Sequence, residues 1–288
     1  MDPLEQTLVR CLGHEALHLI LIPSEACDVR CAACPDDSAA GRMRPEVVRG
    51  IKNLLTDRAE DLGSLTLSWS GGEPLVAQDV IEDLLEHVMA LRIAFPDLAF
   101  QSDVTTNAHL LTPVVFGRLR GLGVDRFQVP IEGPAPLPSP GDPAPGRVTP
   151  DSSRSWANLR ALRWVEGDFV VEVRALVADK SDVSALVEAF RFVFDGDERF
   201  RLIVRRPLVV PGGRRPGGVD ATSVAAPPPS RLRSASPAGP DAFPDAFVVR
   251  ADGRIVACAW PRRTHPSGPS LGHLGEEGRL HLDPPRDC

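Results

Sequence analysis

Short apolar runs alternate with loops and amphipathic stretches along most of this chain, and that rhythm restricts the folds open to it. Apolar runs at residues 19–22, 65–69, 98–103 and 124–131 are each followed by a loop and a stretch with apolar residues at helical spacing. The unit recurs every ~30 to 40 residues, the length of a parallel strand–helix crossover. Val47, Val48, Ile51, Leu54 and Leu55 form the stripe of the first helix, with Pro45 at its first position and Glu46 in its first turn. Helices are expected over 78–93 and 112–121, the latter stopped by Gly121 or Gly123. Further on, 152–164 and 182–194 read as helices, and 169–177 and 200–204 as strands. The period alone fits an open doubly wound sheet or a barrel. Six strands in one order favour an α/β fold, a partial (β/α)6 TIM-like barrel, and in either fold the functional loops follow the C-terminal ends of the strands.

The remaining segments are of a different kind. Residues 5–18 read as a short helix or strand pair, and Cys11 there as a packing residue. Residues 133–150 hold seven prolines and no apolar period, which marks a long lid or rim loop. Near 211 the composition turns to glycine and proline, and 211–245 reads as a linker. Asp252-Gly253 between two short apolar runs signals a hairpin, so a small antiparallel appendage is expected over 246–283. The expected domains are a 1–16 lead-in, a 17–210 core, the 211–245 linker and a 246–288 extension.

The 288 residues, 43% of them hydrophobic, are enough for a large core. No apolar run reaches the ~20 residues of a membrane span. Met1-Asp2-Pro3-Leu4-Glu5 has neither the basic nor the apolar part of a signal peptide. A cytoplasmic protein is expected, with no membrane partner. A net charge of −7 without a basic tract argues against nucleic acid.

The chemistry concentrates after the first strand. Cys27, Cys31 and Cys34 fall within eight residues, half of the six cysteines in the chain. Three thiolates on one loop suit a soft metal centre. A [4Fe-4S] cluster usually takes four cysteines, so three would leave one iron open. Zinc is the other metal reading, with His14 or His18 as the fourth ligand; packing cysteines are the third. Gly71-Gly72-Glu73-Pro74 ends the second strand without the spacing of a phosphate loop. Its glycines allow a ligand to approach the backbone, and Glu73 either binds an ammonium or holds the turn. Glu132 ends the fourth strand and either meets a polar ligand or is solvated. Arg174, inside an apolar strand, either faces a barrel interior with an anionic partner or makes a surface ion pair.

Cys27-x3-Cys31-x2-Cys34 followed by Gly71-Gly72-Glu73-Pro74 resembles the radical S-adenosylmethionine superfamily, over residues 17–210. The resemblance implies that the three cysteines hold one [4Fe-4S] cluster. It also implies that the open iron is chelated by the methionine part of S-adenosylmethionine, and that reductive cleavage yields a 5′-deoxyadenosyl radical that abstracts a substrate hydrogen. Gly71, Gly72, Glu73 and Pro74 would then meet the methionine ammonium. Thr106-Asn107 is similar to a Thr/Ser-Asn-Gly segment of the peptide-modifying branch, with Ala108 at the glycine, and residues 128–133 to its Gln-x-Ser-Leu-Asp-Gly segment, with Pro130 and Glu132 substituted. Arg174 matches an arginine that contacts the cofactor carboxylate. On this resemblance Asn107, Glu132 and Arg174 join the cofactor-binding set.

Residues 247–258, 272–274 and 278–280 resemble the start of the SPASM extension. Two further features depart from the family. Pro35 stands where an aromatic residue usually packs near the adenine. Only Cys258 and Cys288 remain in the extension, too few for an auxiliary cluster, which implies a degenerate or truncated extension. The implied function is radical oxidoreductase chemistry on a peptide or small protein, as in peptide natural-product maturation. Its partners would be a low-potential electron donor and a companion protein for substrate recognition. Radical chemistry on a small molecule and a noncatalytic precursor-binding partner are the alternatives.

Overall fold

The computed structural model describes residues 15–29, 41–132, 150–176, 180–207, 219–224, 246–257 and 270–283. The chain forms two compact units, one comprising residues 1–104, 121–124 and 236–288, the other 105–120 and 125–235. Both are of mixed α/β type, with the strand–helix repeat of a partial (β/α) barrel.

In the first unit β1 (Ala16–Ser24), β2 (Ser64–Gly71) and β3 (Ala99–Thr105) run parallel with β2 central. Helix α1 (Pro45–Arg58) connects β1 to β2, and α2 (Gln78–Ala94) connects β2 to β3. Pro45 opens α1 as expected: Arg44 is extended, and its carbonyl accepts from Val47 N and Val48 N. The stripe of Val47, Val48, Ile51, Leu54 and Leu55 is buried, as are Val80, Ile81, Leu84, Leu85 and Val88 of α2.

The C-terminal strands are more than a hairpin. β8 (Ala246–Val249), β9 (Arg254–Ala257), β10 (Ser270–Leu274) and β11 (Leu280–Leu282) form an antiparallel series, with Asp252-Gly253 at the first turn. β8 also pairs in parallel with β1, from His18↔Ala246 to Leu21↔Val249. The series packs on α1, where a Cβ added at Gly50 would lie 2.4 Å from the Gly275 carbonyl oxygen.

In the second unit β4 (Arg126–Glu132), β5 (Val170–Leu176) and β6 (Phe200–Pro207) are parallel. Helices α3 (Pro113–Gly121), α4 (Pro150–Leu162) and α5 (Lys180–Phe194) belong to the same unit. Phe116 meets Phe127 and Phe169 with centroids 4.5 and 4.9 Å apart, and Phe194 stacks on Phe200 at 4.4 Å. These rings join α3, β4, α5 and β6 in one core. Gly123, just past α3, has φ +91° and takes the left-handed position that ends a helix. Within the stretch expected to be a linker, β7 (Val219–Val224) pairs antiparallel with β6. The 133–149 part of the expected lid lies outside the described residues.

Strand alternation divides each unit into two faces. Leu17, Leu19, Leu21, Leu65, Leu67 and Trp69 are fully buried. Between them His18, Thr66, Ser68, Gln101 and Asp103 share the opposite, polar face, as the register requires. Ser68 Oγ donates to Asp103 Oδ2 at 2.6 Å, and His18 Nε2 lies 2.9 Å from Ser68 Oγ. His18 is six residues before the end of β1, roughly 20 Å at the strand rise. Burial lowers its pKa from 6.5 to about 4.

Two measurements test this packing. Glycine to alanine inside a helix normally stabilises by ~0.5–1 kcal/mol. Gly117→Ala in α3, with open space around the added methyl, should show that gain in denaturant unfolding. Gly50→Ala should instead lose ~1–3 kcal/mol, because the Gly275 carbonyl must move. For His18, the unfolded chain binds a proton below pH ~6.5 that the folded chain refuses until about 4. Stability should therefore fall by about 2–3 kcal/mol as pH drops through that window. His18→Gln should remove that part of the slope, measured as unfolding free energy between pH 4.5 and 7.

Candidate active site

The loop that carries the cysteines is tied at its base. Ser24 ends β1, and its Oγ accepts from Ala26 N at 3.2 Å. Met43 N donates to Pro23 O at 2.8 Å and Glu25 N to Gly41 O at 3.3 Å, so the two flanks of the loop pair with each other. Cys27, three residues past β1, is half-buried, and its thiol donates to Asp28 Oδ1 at 3.8 Å. Cys31, Cys34 and Pro35 lie outside the described residues, as do His14, Cys11, Cys258 and Cys288.

The Gly-Gly-Glu-Pro turn rests on the residues just before Cys27. Gly72 N donates to Ser24 O at 3.2 Å and Glu73 N to Ala26 O at 3.0 Å. A Cβ at Gly72 would lie 2.4 Å from Glu25 O and 2.6 Å from Ala26 O; one at Gly71, where φ is +135°, would lie 2.4 Å from Ser24 O. The close approach that the glycines allow is thus an approach of the chain to itself. Glu73 is fully buried, and its Oε1 accepts from Leu75 N at 3.0 Å, which caps the 3-10 turn Pro74–Ala77. Of the two roles open to Glu73, holding the turn is visible in this geometry.

Glu25 has a partner that no local pattern announces. Arg250, 225 residues on and just past β8, donates from Nε to Glu25 Oε1 at 2.9 Å and from Nη2 to Oε2 at 2.6 Å. Hydrogen bonding to Glu25 is also the main reason that the Arg250 pKa is raised.

The other expected site residues belong to the second unit. Asn107 Oδ1 accepts from His109 N at 2.8 Å, and its carbonyl accepts from Ser155 Oγ at 2.6 Å. Ala108 between them has φ +63°, the one non-glycine positive φ among the described residues. That is the left-handed region, which glycine enters more readily than alanine. Glu132 ends β4 in register with Leu176, and Pro130 with Arg174. Arg174 Nη2 donates to Glu172 Oε2 at 2.9 Å; Arg126 Nη1 approaches Glu172 Oε1 at 3.4 Å. The anionic partner that strand alternation calls for at Arg174 is therefore Glu172, on the same strand and face. Arg174 Nε is buried and has no hydrogen-bond partner among the described residues, so the guanidinium retains donor capacity beyond this pair.

Comparison with known proteins adds the following. Residues 21–163 match the Radical SAM superfamily. The AdoMet-dependent heme synthase of Methanosarcina barkeri is 30% identical over 107 residues, which are 37% of this chain and 28% of that protein. The GTP 3′,8-cyclase of Saccharophagus degradans is 30% identical over 127 residues, 44% of this chain and 36% of that protein. The chain thus spans about a third of the length of these curated relatives. Among solved structures, native anSMEcpe with bound AdoMet and Cp18Cys peptide matches with a TM-score of 0.57 at 14% identity, over 90% of this chain and 77% of that one; the likeness is one of fold. The cysteine loop after β1, the Gly-Gly-Glu-Pro turn after β2 and the match over residues 21–163 lead to one assignment: this chain belongs to the radical SAM superfamily.

Proposed function

We propose that this protein is a radical S-adenosylmethionine enzyme that modifies a peptide or small protein. The observation that carries the reading is the locking of the Gly71–Gly72–Glu73 backbone onto residues 24–26, directly before Cys27. That arrangement puts a backbone surface beside the residues that lead into Cys27, both at the C-terminal ends of parallel strands. Three soft thiolates spaced three and two residues apart fit an iron–sulfur cluster with one open iron.

In this reading Cys27, Cys31 and Cys34 hold one [4Fe-4S] cluster. Gly71, Gly72, Glu73 and Pro74 form the cofactor side of the turn, with the Glu73 carboxylate fixing the turn through Leu75 N. Asn107, Glu132 and Arg174 belong to this proposal as cofactor-binding residues through the motif resemblance alone. Glu172 holds Arg174 by one nitrogen and leaves its other donors for a carboxylate. The bound cofactors supply reductive cleavage of a sulfonium and hydrogen abstraction; the chain supplies orientation and exclusion of competing reactions. A low-potential electron donor is required. A companion protein for substrate recognition, a core over 17–210, a SPASM-like extension over 246–288 and a cytoplasmic setting belong to the same proposal.

The peptide substrate is supported by anSMEcpe, whose structure holds AdoMet and a peptide and matches most of this chain. A second reading, radical chemistry on a small molecule, is favoured by the names of the heme synthase and the GTP cyclase.

Anaerobic reconstitution should give about four irons and four sulfides per chain, and dithionite with S-adenosylmethionine should give 5′-deoxyadenosine. Cys31→Ala should lose both. A wild-type protein with neither cluster nor 5′-deoxyadenosine overturns the reading, and stoichiometric zinc supports the structural alternative. A mass shift on a co-purified or genomically adjacent peptide, absent with Cys31→Ala, separates the peptide reading from the small-molecule one.

A further inference from the structure

We propose that the C-terminal strands brace the cysteine loop, and that Arg250 is the positioning residue of that brace. The inference rests on the cluster reading for its functional meaning and on geometry for its existence.

Both flanks of the loop are held by the same C-terminal segment. On the side before Cys27, Arg250 grips Glu25 through two hydrogen bonds of 2.9 and 2.6 Å, with the two side chains only 16% and 8% exposed. Glu25 is two residues from Cys27, and its backbone is enclosed as well: its N–H donates to Gly41 O, and its carbonyl lies against Gly72. On the far side, Arg44 N donates to Ala251 O at 3.2 Å, one residue past Arg250. The helix that follows is held along its length. Asn53 Nδ2 donates to Glu276 O at 2.8 Å, and α1 approaches Gly275 through Gly50 and Gly278 through the Leu54 nitrogen, where an added Cβ at Gly278 would lie 2.5 Å away. The Arg250 turn is itself rigid, since Arg250 N donates to Arg254 O and Gly253 N to Arg250 O, both at 2.9 Å.

A carboxylate this buried is tolerated because the guanidinium faces it with matched geometry. Removing the arginine alone leaves an uncompensated charge beside the first thiolate, and the loop base must open to hydrate it. Removing both charges leaves no such demand. The pair thus positions the base of the loop.

The test uses the full chain in two states. In the metal-free protein, amide hydrogen exchange is read over residues 24–29; in the reconstituted protein, the rate of iron loss to an added chelator. Arg250→Met should raise exchange about ten-fold and speed iron loss, while exchange in β3 stays unchanged. Lys52→Met, which removes a surface pair with Asp83, should alter neither. The double variant Glu25→Gln/Arg250→Met should fall between wild type and Arg250→Met. Wild-type exchange and wild-type iron loss in Arg250→Met overturn the proposal. If Arg250→Met fails to fold by circular dichroism, the double variant decides: increased exchange over 24–29 supports the brace, and wild-type exchange overturns it. If the wild-type protein takes up no cluster, the cluster reading fails while the exchange arm still decides the brace.

Discussion

Two backbone hydrogen bonds, Gly72 N to Ser24 O and Glu73 N to Ala26 O, fix where the end of β2 meets the start of the cysteine loop. Parallel strands bring their C-terminal ends together but leave the loops beyond them undetermined. Here the ends are stitched past the last pair of the ladder, and the stitch needs residues without side chains. At Gly71 and Gly72 any Cβ would lie 2.4 Å from a carbonyl oxygen of residues 24 or 25, well inside contact distance. Glu73 then turns its carboxylate back to Leu75 N, so that the turn is held from both sides.

The polar faces follow from the same geometry. A parallel strand covered by helices on one face and open to an interior on the other must alternate, and β2 does so at every residue. In the first unit the interior face holds an imidazole, a hydroxyl and a carboxylate joined in series by His18, Ser68 and Asp103. In the second it holds Arg126, Arg174 and Glu172. These groups are stable there because each meets a hydrogen-bond partner across or along the strands.

Much of this could be read from the sequence, because it rests on local pattern. Pro45, the stripe of α1, the stop at Gly123 and the Asp252-Gly253 turn are determined by residues within a turn or two of each other. The motif glycines were readable as a place of close approach, but what approaches was not, since Ser24 and Glu25 are distant in sequence. β7 was hidden because Asp220, Thr222 and Ser223 give it no apolar alternation; only its pairing with β6 makes it a strand. Glu25–Arg250 and His18–Ser68–Asp103 depend on register and on contacts across up to 225 residues. Arg174 lies between these cases: alternation shows that it needs an anion, and only the fold identifies Glu172.

The C-terminal strands have a reason to exist that does not involve metal. Without β8, β1 would present an open edge of unpaired N–H and C=O groups next to the loop whose placement matters most. β8 closes that edge over His18 to Leu21, and all four of its residues are buried. A strand so placed is kept by the sheet whether or not cysteines follow it. Once β8 is in the sheet, the residue that follows its last buried position, Arg250, emerges beside Glu25, and the ion pair is the consequence of completing the edge.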